Sequence, residues 1–120
     1  PAMRRYVAGL AGERGLGNVD TVRAAPTDTH LPPASVDRIL TVNTWHHIPD
    51  RGTYAAHLAD RLREGGSVWV VDVEKEAPMG PPKRHRLAPQ AVAKELERGG
   101  LEAEVRDLGL PHQYVVVGHN

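Results

Sequence analysis

Apolar residues recur along this chain with two periods, and the changes between them predict its elements. Met3, Tyr6, Val7, Leu10 and Ala11 fall on one face of a helix over residues 2–14, with Gly15 as its stop. Val19 to Ala24 is short, β-branched and loosely alternating, which predicts a strand. Pro26, Asp28, Pro32, Pro33 and Ser35 mark a loop over 26–35. A second strand follows over 36–43, and its run Ile39-Leu40-Thr41-Val42 is nearly continuous in apolar character. Asp50 then stands as N-cap of a helix reaching Arg63, with Tyr54, Ala55, Leu58, Ala59 and Leu62 as its buried stripe and Gly65-Gly66 as its end.

Ser67 to Val73, built on Val68-Trp69-Val70-Val71, is the clearest strand in the sequence. A long loop over 74–88 holds Pro78, Gly80, Pro81 and Pro82. Pro89 opens a third helix carrying Val92, Ala93 and Leu96, which Gly99-Gly100 closes. Two final strands, 102–108 and 113–118, are joined by a turn short enough for antiparallel pairing. Strands alternating with helices predict an α/β fold with a largely parallel sheet. The two apolar strands are expected side by side and parallel, covered on both faces, with Gln113–Val117 antiparallel beside Val68–Val71. Ligands of such sheets bind beyond the carboxyl ends of the strands. That directs attention to residues 24–28, 43–50 and 72–76.

Composition narrows the partners more than the fold. Fifteen Lys and Arg balance fifteen Asp and Glu, so net charge gives no reason to expect nucleic acid or an acidic membrane. The absence of cysteine excludes disulfides and thiolate metal sites. No apolar run approaches the roughly 18 residues that span a bilayer, and no signal-peptide pattern opens the chain. A soluble, cytoplasmic protein is the expectation. The opening on Pro1, without an initiator Met, reads as part of a longer protein.

Three passages carry a resemblance. The first is LPPASVDRILTVNTWHHIPD, where Leu31-Pro32, Asp37 and His47-Ile48-Pro49-Asp50 stand at family-like spacing. The second is LREGGSVWVVDVE, from Leu62 to Glu74. The third runs from Gly80 to Gly118 and includes Leu110 to Tyr114. Together they resemble class I S-adenosylmethionine-dependent methyltransferases of the small bacterial type, over essentially the whole chain. The resemblance implies a Rossmann-like sheet of order 3-2-1-4-5-7-6. Residues 1–120 would supply strands three to seven of it, as a single partial methyltransferase domain. The first strand and the Gly-x-Gly-x-Gly loop are expected upstream, as is the acid that holds the ribose. Gly15-x-Gly17 follows a helix and opens none, the wrong context for cradling a ligand.

The resemblance also implies a site. S-adenosylmethionine is the expected cofactor, approached by Ala25, Asp28, Asn43 and Thr44. Ala25 stands where the family often has an adenine-binding Asp, and Asp28 lies three residues on. Asn43 and Thr44 end a strand, so plain strand-end hydrogen bonding competes with ligand contact. His47 and Asp72 are the candidate catalytic groups. Histidine as a residue type suits proton transfer near neutral pH, so His47 is a candidate base, although fixing the loop is the commoner role. Asp72 closes a buried strand, where an unpaired charge is costly. Trp45, His46 and Tyr114 are candidate substrate contacts, with core packing as the plain alternative for Trp45 and Tyr114. Adjacent His46 and His47 diverge too far to share a metal. Lys83-Arg84-His85-Arg86 reads as solvated surface, or as a guide for an anionic acceptor.

The function so implied is methyl transfer to a small-molecule acceptor, with a homodimer open. Two alternatives stand beside it: a non-catalytic, methyltransferase-like interaction module, and part of a nicotinamide-dependent oxidoreductase. An antiparallel last strand favours the first reading over the oxidoreductase. The lack of a neighbour for the Ile39–Val42 strand predicts an apolar edge that calls for compensation.

Overall fold

The structure, a computed structural model, describes residues 2–120, which form two compact units, one ending at Leu31 and the other spanning Pro32–Asn120. In the first unit, helix α1 covers Ala2–Glu13. Its expected apolar stripe is largely open: Ala11 is buried, but Met3 and Tyr6 are exposed. Residues 19–24 form no strand, contrary to the alternation read from Val19 and Val22. A strand needs a ladder partner, and the remainder of this unit is helix and turn. Among the described residues of this unit the one β-pairing is the isolated bridge in which Ala25 and Asp28 exchange backbone hydrogen bonds of 2.8 and 3.2 Å.

The second unit is an α/β layer with a four-stranded mixed sheet. Its elements are β1 (Val36–Val42), α2 (Arg51–Arg61), β2 (Leu62–Val73), α3 (Pro89–Arg98), β3 (Glu102–Arg106) and β4 (Gln113–His119). Sheet order is β1-β2-β4-β3. As the sequence predicts, the two apolar strands lie parallel, with Ile39 beside Val68 and Val42 beside Val71. β4 runs antiparallel to both β2 and β3. The core packs Ala55 and Leu58 of α2 and Val92 and Leu96 of α3 onto Val68, Val70, Tyr114 and Val116.

Local chemistry moves two boundaries. Helix α2 stops at Arg61 because Leu62 turns extended and enters the ladder opposite Val36; Gly65-Gly66 then falls inside an irregular stretch of β2. Asp50 does stand at the helix start, but its backbone is left-handed (φ 48°) and its side chain makes no cap bond. The expectation of cover on both faces fails at β1. Leu40 and Val42 are 67% and 47% exposed, since β1 is the outermost strand of this sheet and α2 and α3 pack instead against β2, β3 and β4.

Candidate functional site

β1 delivers its chain to the carboxyl end of the sheet through Asn43, whose backbone is left-handed (φ 54°). Asparagine is one of the few side chains that adopt this conformation readily. The Asn43 N–H still bonds to the Val71 carbonyl at 2.8 Å, so the bend is anchored to β2. Thr44 turns its hydroxyl back onto the Val42 carbonyl, also at 2.8 Å. A single 3₁₀ turn follows, Trp45–His47, and it sets three consecutive side chains in three different environments.

Trp45 is fully buried. Its indole N–H donates to Glu95 Oε1 at 3.2 Å, and Glu95 Oε2 accepts from Arg51 Nε at 2.7 Å. His46 turns toward β2. Its Nδ1 lies 2.9 and 3.0 Å from the two carboxylate oxygens of Asp72, and its backbone N–H donates to Asp72 Oδ2 at 3.1 Å. The Val73 N–H adds a bond to Asp72 Oδ1 at 2.8 Å. A carboxylate only accepts, so Nδ1 carries a proton directed at Asp72. Both side chains are at least 95% buried. The cost of burying the Asp72 charge is therefore met by three donors. His47 is exposed, with its ring 4.1 Å from that of His46.

Tyr114 lies opposite Asp72 on β4 and joins the core. Its hydroxyl is buried with no hydrogen-bond partner among the described residues. Burial pushes the phenol far above its ordinary range, the charges of Asp72 and Glu95 push the same way, and Arg51 opposes them. Tyr114 therefore stays protonated at any working pH and cannot serve as a base.

Beside these groups a hollow of about 310 Å³ opens at the carboxyl ends of β1 and β2, lined by Asn43, Val73, Met79, Gly80, Pro111, His112 and Gln113. Gln113 Nε2 donates to Asn43 Oδ1 across its wall at 2.8 Å. The loop that supplies Met79 and Gly80 is tied by Arg86, whose guanidinium donates to the carbonyls of Glu74, Lys75, Ala77 and Pro81. Of the residues singled out from sequence, Asn43 lines this hollow; Thr44, Trp45, His46, His47, Asp72 and Tyr114 do not. Ala25 and Asp28 belong to the other unit, where Asp28 Oδ1 accepts the His30 N–H at 2.8 Å. Sequence reasoning passed over Glu95, Met79 and His112, which have no motif. Only the tertiary fold brings them here.

A larger hollow of about 660 Å³ lies around Ile48, Asp50, Arg51, Glu95 and Arg98. No group of His, Asp and Glu able to hold a metal occurs among the described residues, and no helix there is long and apolar enough to cross a membrane.

Residues 1–70 match the family described as the methyltransferase domain. The chain belongs to that family. The fold is shared with solved structures at low identity. A SAM-dependent methyltransferase from Aquifex aeolicus superposes with a TM-score of 0.87 at 23% identity, over 98% of this chain. PigF, solved with SAH, gives 0.78 at 14% identity, over 100% of this chain and 41% of its own. The [4+2]-cyclase SpnF gives 0.68 at 22%, over 88% of this chain and 41% of its own. The methyltransferase domain described here spans 63% of the length of the Aquifex protein.

Proposed function

We propose that residues 1–120 form part of a single methyltransferase domain that moves a methyl group from S-adenosylmethionine to a small-molecule acceptor. The family match over residues 1–70, which takes in Asn43, Thr44, His46 and His47, carries this reading. The bound cofactor supplies the methyl as an electrophile on a sulfonium that already leaves well. What the protein must add is alignment, exclusion of water and a group to take the acceptor's proton.

The side chains present fit those tasks. Asn43 has two amide hydrogens without a partner among the described residues, one of which is proposed for the cofactor, and Thr44 has a hydroxyl oxygen that still accepts; these two are the cofactor contacts in the second unit. His47, exposed on the turn after β1, is the proposed base. Asp72 acts through His46: it fixes the buried ring against which the tilted ring of His47 packs, and so positions the base. His46 and Trp45 then shape the site from beneath. Tyr114 keeps the floor of β4 apolar.

The absence of an acid at Ala25 favours one second reading, a related module that binds without transferring methyl. SpnF, named for a cyclisation, is a reminder that this fold serves other chemistry. Measuring S-adenosylhomocysteine released from S-adenosylmethionine by the protein at its natural full length, offered a panel of small alcohols and amines, separates them. Release that depends on acceptor supports methyl transfer; tight cofactor binding with no release over the whole panel supports the binding module. Residues 1–120 contain no Gly-x-Gly-x-Gly loop, and Gly15 sits at φ 67° in a turn after α1. The segment alone is therefore expected to bind S-adenosylmethionine weakly. Micromolar binding in calorimetry would show that the cofactor contacts lie elsewhere.

A further inference from the structure

We propose that the hollow of about 310 Å³ between Asn43, Val73 and Gln113 is the acceptor pocket, and that it selects a small uncharged alcohol or phenol. This rests on the methyl-transfer reading and goes further, by naming the acceptor's chemistry. The size is right: a cavity of about 150 Å³ suffices for benzene, so this one admits a substituted single ring or a branched chain of similar bulk. The lining is right as well. Val73, Met79, Gly80 and Pro111 give it an apolar body, and His112 is the one titratable side chain among its lining residues. A cationic acceptor would lose hydration there without gaining a carboxylate, and an anionic one would meet only the exposed imidazole of His112. The larger hollow near Arg98 is charged, and its Arg51–Glu95 pair is already spent on holding Trp45.

The amide pair supplies the selectivity. Gln113 and Asn43 spend one donor and one acceptor on each other, leaving the NH₂ of one amide and the carbonyl of the other uncommitted. Interchanging oxygen and nitrogen in both groups leaves the same pair of functions, one donor and one acceptor. A hydroxyl is the simplest group that accepts from one and donates to the other. The wall is also preformed. Arg86 fastens the loop bearing Met79 and Gly80 through four carbonyls, and a side chain at Gly80 would press on Val73 at 3.1 Å. A fixed wall loses little entropy on binding.

Residues 1–120 contain two methionines, Met79 on this pocket and Met3 outside its lining, so methyl-labelled methionine gives one reporter and one control in a magnetic resonance titration of this stretch. Phenol, toluene and benzoate are the probes. Phenol is expected to shift the Met79 methyl saturably while Met3 stays still, with toluene needing about tenfold higher concentration and benzoate failing to saturate. Gln113→Leu should reduce phenol to the level of toluene. Asn43→Gly, which keeps the left-handed backbone, should do the same if the leucine variant folds poorly. Equal response to phenol and toluene, tighter binding of benzoate, or a silent Met79 would overturn the pocket. Methyl transfer in the full-length protein that survives Gln113→Leu with unchanged acceptor KM overturns the pocket but keeps the proposed reaction. Selective phenol binding without methyl transfer to any acceptor does the reverse to the reaction, and removes the acceptor role with it.

Discussion

Asp72 shows how one side chain serves folding and the site together. It accepts from two backbone N–H groups and from the His46 ring, all at or below 3.1 Å. Asp72→Ala leaves those donors buried and unpaired, at a cost of about 2–3 kcal/mol in denaturant unfolding. Asp72→Asn keeps an acceptor and should lose less than half of that. Its turnover should nevertheless fall about tenfold, with a changed pH–rate profile, because the His46 ring is free to turn. An unchanged profile would reduce Asp72 to a structural strut. Tyr114 makes the opposite case, since its buried hydroxyl has no partner and Tyr114→Phe removes a group that burial penalises. The variant should be equal or up to about 1 kcal/mol more stable at neutral pH. The sign of its pH dependence follows from the raised phenol. The folded state holds the proton above the unfolded value near 10, so stability is intact below that pH and falls as pH rises beyond it. Urea melts between pH 9 and 11 should show that decline in the natural protein and lessen it in the phenylalanine variant.

Among elements, the sequence was most legible where apolar runs were continuous. Ile39–Val42 and Val68–Val71 announced adjacent parallel strands, and Gln113–Val117 announced the antiparallel insertion, because burial dictates both pattern and pairing. Val19 to Ala24 misled because β-branched alternation describes a strand's surface without supplying its partner. Glu95 was invisible for another reason: its role depends on Trp45 and Arg51, far away in sequence, so no local spacing could reveal it. Gly99 is the clearest case of sequence and packing agreeing. It closes α3 as expected, and it also lets α3 meet α2, where an added Cβ would stand 2.6 Å from the backbone of Ala55 and Ala56. Gly99→Ala must push the helices apart, so a loss of about 2 kcal/mol is expected in thermal or urea melts. A neutral result would mean the helix pair yields more easily than this packing allows.

For the molecule as a whole, the outer edge and open face of β1 stand out. Leu40 and Val42 present apolar surface on a strand with one ladder neighbour, the arrangement that invites association between sheets. Leu40→Lys should raise the concentration at which residues 1–120 remain monomeric, seen by light scattering, with stability changed by less than about 0.5 kcal/mol. A marked loss of stability would reveal that Leu40 is covered in solution.

The place of β4 has a bearing on how the sheet is made on the ribosome. β4, which follows the other three strands of this sheet along the chain, is an interior strand, flanked by β2 and β3. Until residues 113–119 emerge, β3 has nothing to pair with and β2 keeps one side unsatisfied. Helix α3 and β3 must wait, tethered and unfinished, for the final seven residues of the ladder. Nascent chains stalled before Gln113 should thus remain open to protease at β3, and become resistant only once His119 has cleared the exit tunnel.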